Sequence, residues 1–170
     1  MRSKILKLED LIFSLKNLRK SGKRVVFTNG CFDILHVGHV RYLSAARTKG
    51  DILVLGLNSD ASVKSIKSDN RPVVCQDQRA EVLAGLACVD YITIFDEPDP
   101  LALIHAIRPD VLAKGADWEE TKIIGSDVVK SYGGEVVRIK MVPDISTSGI
   151  IQRIIERYGK KSRMNTNRPK

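Results

Sequence analysis

The chain has 170 residues, a formal net charge of +8 and three cysteines. This length is that of one ordinary domain with its own core, and no apolar run approaches the roughly 18 residues that a membrane helix needs. The N-terminus has no apolar segment followed by a small-residue cleavage site, and the scattered cysteines have no metal-ligand spacing and suit a reducing compartment. We therefore expect a cytoplasmic protein that does not bind a membrane.

The net positive charge comes from the two ends of the chain. Residues 1–24 carry an excess of six positive charges and residues 159–170 an excess of five, so the body between them has an excess of three negative charges. A short basic terminus of this composition does not build packed structure. We predict an N-terminal helix within 1–23, one domain over 24–158 and a basic, disordered tail over 159–170, with no specific nucleic-acid interface.

The apolar residues alternate between helical and strand periodicity along the chain. The pattern predicts helices over 8–19, 39–49, 76–87, 100–107 and 146–158, with a short helix that begins near Asp60. It predicts strands over 24–28, 51–57, 91–95, 110–113 and 135–139. This alternation indicates an α/β fold with a doubly wound parallel sheet in a single domain. Ligands in such folds bind beyond the C-terminal ends of the strands.

The most informative motif contains His36, Gly38 and His39, in a turn between the first strand and the next helix. The two imidazoles stand three residues apart near a helix N-terminus, where backbone N–H groups and the helix dipole hold phosphate. Gly38 lets backbone approach a ligand closely. Two neutral-to-cationic donors aimed at phosphate indicate phosphoryl or nucleotidyl transfer. A metal site is less favoured, because the chain has one further histidine and no cysteine pair.

The other polar segments allow two interpretations each. The hydroxyl-bearing residues 146–148, before the last helix, either hold a phosphate chain or form an ordinary Ser/Thr cap, and their pairing with the histidine turn favours the first. Lys64, Lys67 and Arg71 are either solvated or part of a mobile cationic loop that closes over phosphates. Arg79 either contacts phosphate or supports packing.

Residues 30–39 together with 145–148 resemble the HxGH nucleotidyltransferases, which are adenylyl- and cytidylyltransferases with a Rossmann-like fold. The closer resemblance is to the heptose 1-phosphate adenylyltransferases. It rests on segments 28–30, 58–62, 71–73, 114–118 and 133–136 and covers about 24–158. The HxGH motif alone is weak evidence, but the ordered set of motifs is specific.

The resemblance implies a role for each site residue. His36 and His39 would donate to the ATP phosphates and the transition state, Lys67 would neutralise phosphate charge as a third catalytic residue, and Asp33 would orient the turn. Nucleotide contacts are implied for Asn29, Gly30, Cys31, Phe32, Asp33, Gly38, Lys64, Arg79, Lys114, Gly115, Ile145, Ser146, Thr147 and Ser148. Contacts to the second substrate are implied for Asn58, Asp60, Arg71, Asp117 and Trp118. Mg²⁺ would be held through the ATP phosphates, with no protein side chain as a ligand.

The activity implied by the resemblance is transfer of AMP from ATP to D-glycero-β-D-manno-heptose 1-phosphate. The products would be ADP-heptose, for lipopolysaccharide or another surface glycan, and pyrophosphate. A separate sugar kinase would supply the substrate, because the kinase domain that bifunctional members carry in front is absent here. The resemblance also leads us to expect a homo-oligomer, a dimer in the first instance.

Two alternatives stay open. One is a cytidylyltransferase acting on a small phosphate alcohol such as glycerol 3-phosphate. Three departures oppose it: Met141 stands where that branch has arginine, Cys31 where it has threonine, and Ala116 where it has the first of two acids. The other alternative is a non-catalytic nucleotide- or RNA-binding module that uses the basic ends. Pyrophosphate release separates the enzymes from the module, and a comparison of ATP with CTP separates the two enzymes.

Overall fold

Five parallel strands form one sheet in the computed structural model, which describes residues 2–159. The strands are β1 (Val25–Gly30), β2 (Ile52–Asn58), β3 (Tyr91–Phe95), β4 (Val111–Gly115) and β5 (Glu135–Ile139). Their order across the sheet is β3-β2-β1-β4-β5, and every neighbouring pair is parallel. The predicted doubly wound parallel sheet is therefore confirmed.

The helices alternate with the strands along the described part of the chain. They are α1 (Leu8–Lys20), α2 (Val37–Arg47), α3 (Asp60–Ile66), α4 (Gln76–Ala84), α5 (Leu101–Ile107), α6 (Ser126–Ser131) and α7 (Thr147–Tyr158), with 3₁₀ turns at Arg2–Lys4 and Glu120–Lys122. The helix α6 and the two 3₁₀ turns are absent from the predicted set. No described helix is long and apolar enough to cross a membrane.

The sheet is covered on both faces, which explains why β2 is an almost continuous apolar run. Successive side chains of a strand point to opposite faces, so in β1 Val26 packs into one core and Val25 and Phe27 into the other. The first core contains residues of α2 and α4, and the second contains residues of α1, α5 and α6. Both cores consist of aliphatic side chains with few aromatic rings, and they fix the sheet on which the site is built.

Several predicted helix boundaries differ from the structure by one to three residues, and two of these differences bear on the site or the core. Helix α2 begins at Val37, two residues before the predicted start, and this makes His36 its N-cap and puts His39 in its first turn. Helix α4 ends at Ala84, short of the predicted 87, because Gly85 ends the helical hydrogen bonding. In α4, Leu83 is buried, whereas Val82 is 53% exposed. The predicted tail lies, apart from residue 159, outside the described residues.

The strand order places the site. The chain runs outward from β1 to β2 and β3, then returns to add β4 on the other side of β1. The C-terminal ends of β1 and β4 therefore lie side by side where the connections diverge in opposite directions. This is the switch point at which doubly wound sheets bind ligands, and the strand ends there are Gly30 and Gly115.

Candidate active site

A cavity of about 580 Å³ opens at the C-terminal edge of the sheet. Its wall includes most of the residues singled out from the sequence: Asn29, Gly30, Cys31, Phe32, Asp33, His39, Asn58, Lys67, Arg71, Lys114, Gly115, Asp117, Trp118, Ser146, Thr147 and Ser148. Six others are not on the wall, namely His36, Gly38, Asp60, Lys64, Arg79 and Ile145. The fold thus brings together side chains from the ends of β1, β2 and β4 and from the start of α7.

The two histidines at the start of α2 stack on each other. Their ring centroids are 3.8 Å apart with an interplanar angle of 19°. The ring of Phe32 lies 5.1 Å from that of His39 and is tilted by 58°. The Nδ1 atoms of His36 and His39 are buried and have no hydrogen-bond partner among the described residues. This pair is therefore a set of polar atoms that the surrounding protein does not satisfy.

Both imidazoles are neutral at physiological pH. Burial lowers the pKa of His39 to about 4, with a further contribution from the neighbouring His36, and burial also lowers the pKa of His36. The helix N-terminus beside them disfavours positive charge as well. The expected neutral-to-cationic donors are thus neutral donors in the free protein, and each ring offers one N–H and one lone pair.

Gly38 is buried, and it is needed for packing between protein groups. A Cβ at this position would lie 2.9 Å from Nδ1 of His36 and 3.2 Å from Cγ2 of Ile145. The missing side chain therefore makes room for the His36 ring and for the segment before α7. That Gly38 also brings backbone to a ligand stays a prediction, and the contact gives Ile145 a role in packing.

Asp33 anchors the segment that follows α3. Its carboxylate accepts hydrogen bonds from the backbone N–H groups of Val73 and Val74 at 2.9 Å each and pairs with Nε of Arg71 at 2.5 Å. Burial opposes ionisation, but these donors outweigh it and lower the pKa of Asp33. Asp33 thus holds the end of the loop that is predicted to be mobile against the segment after β1.

Arg79 supports the packing interpretation. Its side chain is fully buried and donates to the carbonyl oxygens of Val74, Cys31 and Asn58 and to the carboxylate of Asp60 at 2.7 Å. The expected phosphate contact of Arg79 and substrate contact of Asp60 are therefore replaced by a contact between the two side chains. Sequence alone does not separate such a buried arginine from an exposed one.

Asn58 and Cys31 lie on the wall above this arginine. The Asn58 amide donates to the Ser62 hydroxyl at 2.9 Å, and only 2% of the residue is exposed. Burial raises the pKa of the Cys31 thiol more than the nearby cations, Lys67 first, lower it. A neutral thiol is a poor nucleophile, so Cys31 contributes shape to the cavity.

Three cationic side chains stand on the wall. Lys67 follows the end of α3, and Arg71 is held by Asp33. Lys114, at the end of β4, donates to Oδ1 of Asn29, and burial lowers the pKa of its amine to about 8, so it remains mostly protonated at pH 7. Lys64 is exposed on α3 and off the wall, which separates the two lysines that the sequence grouped together.

The hydroxyl residues at the start of α7 form a helix cap and also line the cavity. Oγ of Ser146 accepts from the backbone N–H of Gly149 at 3.0 Å, as an ordinary cap does. The Thr147 hydroxyl donates to the carbonyl oxygen of Ile34 at 3.3 Å, which ties α7 to the histidine turn. Ser146, Thr147 and Ser148 all line the cavity, where the first N–H groups of a helix have no intrahelical partner.

Gly115, Asp117, Trp118 and Ile124 also line the cavity. A Cβ on Gly115 would collide with the carboxylate of Asp117 and lie 3.1 Å from Sδ of Met141, so both side chains use the space that glycine leaves. Trp118 and Ile124 are 51% and 44% exposed. The described residues contain no group of three or more His, Cys, Asp or Glu side chains able to hold a metal ion.

Sequence reasoning missed part of the wall: Tyr42, Ile66, Pro98, Asp99, Pro100, Ile123 and Ile124. Tyr42 shares a hydrogen bond with the Thr28 hydroxyl at 2.7 Å and donates to the carbonyl oxygen of Ala113 at 3.0 Å. These contacts join β1 and β4 beneath the cavity. In the sequence, Tyr42 stands at helical spacing like a core residue, so the sequence alone does not show that it lines a cavity.

The parallel sheet, the histidine pair at its switch point and the cationic wall define a nucleotidyltransferase. A family model described as cytidylyltransferase-like matches residues 27–153. The chain belongs to this cytidylyltransferase-like family. The predicted resemblance to nucleotidyltransferases is thereby confirmed.

Relatives and solved structures agree with this assignment. The chain is 53% identical over 156 residues to the bifunctional protein HldE of Syntrophotalea carbinolica and 50% identical over 159 residues to that of Geobacter sulfurreducens. These matches cover 92% and 94% of this chain but 32% of each relative, so the chain spans about a third of the length of the curated relatives it matches.

Two solved structures share the fold. A lipopolysaccharide core biosynthesis protein from Thermoplasma volcanium superposes with a TM-score of 0.57 at 25% identity, over 71% of this chain and 98% of that one. The pantothenate synthetase from Thermus thermophilus superposes with a TM-score of 0.60 at 15% identity, over 86% of this chain and 67% of that one. The second likeness is evidence of the fold alone.

Proposed function

We propose that this chain is an adenylyltransferase that transfers AMP from ATP to D-glycero-β-D-manno-heptose 1-phosphate. The observation that carries the proposal is the stacked histidine pair with its unsatisfied buried nitrogens, of which His39 lines a cavity with cationic walls. The sugar class comes from the sequence resemblance and fits the similarity to the HldE proteins and to a lipopolysaccharide core biosynthesis protein. A sugar kinase would supply the heptose 1-phosphate, and a cytoplasmic homodimer is the proposed form of the enzyme.

The proposed reaction is a single in-line displacement. A phosphate oxygen of the sugar phosphate attacks the α-phosphorus of ATP and forms the new P–O bond, while the bond from that phosphorus to the bridging oxygen of pyrophosphate breaks. ATP would enter as its magnesium complex, with the metal held through the ATP phosphates and neutralising part of their charge. No covalent enzyme intermediate is needed, so catalysis consists of positioning and charge stabilisation.

The side chains divide these tasks. His36 and His39 donate N–H groups to phosphate oxygens, and their neutral state avoids repulsion between the two stacked rings. Lys67 and Lys114 oppose the negative charge that moves onto the leaving pyrophosphate, since preorganised cations act most strongly where charge develops. Ser146 and Ser148, at the start of α7, contact the nucleotide.

The test is a pyrophosphate-release assay with all four nucleoside triphosphates against heptose 1-phosphate, other sugar 1-phosphates and glycerol 3-phosphate. We expect the highest kcat/KM with ATP and heptose 1-phosphate. The cytidylyltransferase-like description of the family favours a second candidate, and faster turnover with CTP and glycerol 3-phosphate would establish that one instead. Nucleotide binding without pyrophosphate release from any pair would identify a binding module.

A further inference from the structure

A second cavity, of about 460 Å³, lies at the opposite, N-terminal edge of the sheet. We call it the arginine pocket; it is lined by Arg19, Arg24, Arg108, Asp110, Tyr132, Gly133 and Gly134. Its arginines come from the last turn of α1, from the residue before β1 and from the residue after α5. The fold therefore gathers three cations from separate segments at a place that the proposed reaction does not use.

Two of these arginines are held in place by protein groups but keep donors to spare. Nη2 of Arg19 donates to the carbonyl oxygens of Ile107 and Arg108, both at 2.7 Å, and so caps the end of α5. Nη2 of Arg24 pairs with Oε2 of Glu135 at 2.8 Å. A guanidinium has five N–H donors, and both side chains use only their Nη2 atoms in these contacts.

Arg108 is an exposed side chain whose guanidinium donors are left for solvent or a ligand. Its guanidinium carbon lies 4.7 Å from the centre of the Tyr132 ring, and it has no hydrogen-bond acceptor or ion-pair partner among the described residues. The ring is fixed in turn, because the Tyr132 hydroxyl donates to the carbonyl oxygen of Pro109 at 3.1 Å. A guanidinium stacked on a fixed ring presents its donors in a planar fork that matches phosphate oxygens.

The charge and shape of the arginine pocket also fit an anion. Its three guanidiniums face two carboxylates, of which Asp110 accepts from the backbone N–H of Val25 at 2.8 Å and Glu135 is paired with Arg24. This leaves a net positive charge. The wall at Gly133 is open, since a Cβ there would meet no atom within 4 Å.

We propose that the arginine pocket binds a small phosphate dianion, with Arg108 as its principal ligand and Arg24 and Arg19 as supporting cations. The site is separated from the candidate active site by the length of the strands. Its occupant is therefore a ligand other than the ATP being consumed, and binding there does not depend on the function proposed above.

The experiment is an NMR titration of the ¹⁵N-labelled full chain with inorganic phosphate at constant ionic strength. We expect saturable shifts of the Gly133 and Gly134 amides, with the Gly30 amide reporting separately on the candidate active site. The variant R108Q should weaken phosphate binding at Gly133 and Gly134 by about 10-fold or more. The matched control R157Q removes an exposed arginine from α7 and should leave the affinity unchanged.

A parallel titration with glycerol 3-phosphate identifies the source of the phosphate group. Equal affinity assigns the pocket to phosphate itself, and tighter binding of the ester assigns it to a phosphorylated metabolite. R24Q is the second variant if R108Q disturbs the spectrum as a whole, and it too should weaken binding. Shifts at Gly133 and Gly134 that do not saturate, or that are the same in R108Q, R24Q and R157Q, would overturn the proposal.

Discussion

The histidine pair and the Arg79 cluster lie at the same edge of the sheet and differ in how their polar atoms are partnered. Arg79 is fully buried, and its donors reach three carbonyl oxygens and one carboxylate. The buried Nδ1 atoms of His36 and His39 have no partner among the described residues. A buried polar group without a partner costs about 1–3 kcal/mol, so a fold retains one where a ligand makes use of it.

The difference separates residues that hold the cavity from residues that act inside it. Charged groups with complete hydrogen bonding keep the wall in shape, as Asp33 and Arg79 do. Incompletely bonded groups face the substrate. By this criterion we propose that the histidines, with Lys67, carry the chemistry. Changes in the two clusters should then have different readouts: turnover for the first and stability for the second.

The largest effect is expected from removing either histidine. His36→Ala and His39→Ala should each lower kcat by about 10²–10³, because each removes a preorganised donor to transition-state charge. Circular dichroism should show an unchanged fold. The matched control is His105→Ala, which removes an exposed histidine from α5 and should leave kcat unchanged. Near-normal turnover in both site variants would remove the histidines from the mechanism.

Replacing Arg79 should affect stability. Arg79→Met keeps much of the side-chain volume but leaves three carbonyl oxygens and the partly exposed Asp60 carboxylate without their donor. Leaving a buried acceptor unsatisfied costs about 1–3 kcal/mol. Urea denaturation measures the loss. Arg41→Met, at an exposed arginine of α2, should change the free energy of unfolding by less than about 0.5 kcal/mol. Full stability combined with weaker ATP binding would restore Arg79 as a phosphate contact.

The fold was readable from sequence wherever burial is regular. The continuous apolar runs of β1 and β2 follow from a sheet covered on both faces, and the structure confirms both strands. Helix α6 has six residues, of which Ser126 and Val129 are buried. It is too short to show a helical stripe, so its sequence is indistinguishable from a loop.

The candidate site was readable where a motif has a fixed spacing. His36 and His39 stand out because their chemistry depends on their separation along one helix. The roles of Arg79 and Lys64 were not readable, since whether a cation is buried or exposed depends on the tertiary contacts around it. Gly38 illustrates a third case: the residue type was informative, but the neighbour that requires it, the His36 ring, is visible only in the structure.

Gly38→Ala tests that neighbour. The added Cβ would lie 2.9 Å from Nδ1 of His36, so the ring must shift, and a displaced catalytic group costs about 10–10²-fold in kcat. The free energy of unfolding should fall by less than the steric overlap alone would cost, because alanine is favoured over glycine inside a helix by about 1 kcal/mol. Kinetics and ATP binding are measured together. Lost ATP affinity with unchanged kcat would instead support backbone contact between Gly38 and the phosphates.

Lys64, in α3, and Lys67, at the C-terminal end of that helix, should differ in their effect on kcat. Lys64 serves as the control for Lys67. Lys67→Ala should lower kcat by about 10-fold and weaken ATP binding less, because the contact is strongest in the transition state. Lys67→Arg should restore only part of the rate, since a planar fork does not replace a compact ammonium. Lys64→Ala, off the cavity wall, should change neither quantity. Equal effects of both alanine variants would mean that only general positive charge matters.

The smallest expected effect that distinguishes the histidine pair from the Arg79 cluster is the shifted pKa of His39. Burial lowers its pKa from the ordinary value of 6.5 to about 4, so its NMR ring signals should titrate near pH 4 in the free protein. His36→Ala should raise this midpoint, because it admits water to the ring and removes the charge of His36. A midpoint near 6.5 in the unmodified protein would contradict the neutral, unsatisfied pair.

The same shift makes stability depend on pH in a defined direction. A base whose folded pKa lies below its unfolded value binds protons more readily in the unfolded chain, so protonation favours unfolding. For His39 the free energy of unfolding should therefore fall as pH drops through the window from 6.5 to about 4. His39→Gln cannot take up this proton and should lose less stability over that window. Urea denaturation at pH 7, 5.5 and 4.5 measures the difference. The Asp33 carboxylate changes stability in the same direction as the imidazole, since its lowered pKa adds stability above its unfolded pKa that is lost as pH falls through the folded one. Asp33 is present in both the parent and His39→Gln, so its contribution cancels when their free energies of unfolding are compared. The remaining difference is the contribution of His39.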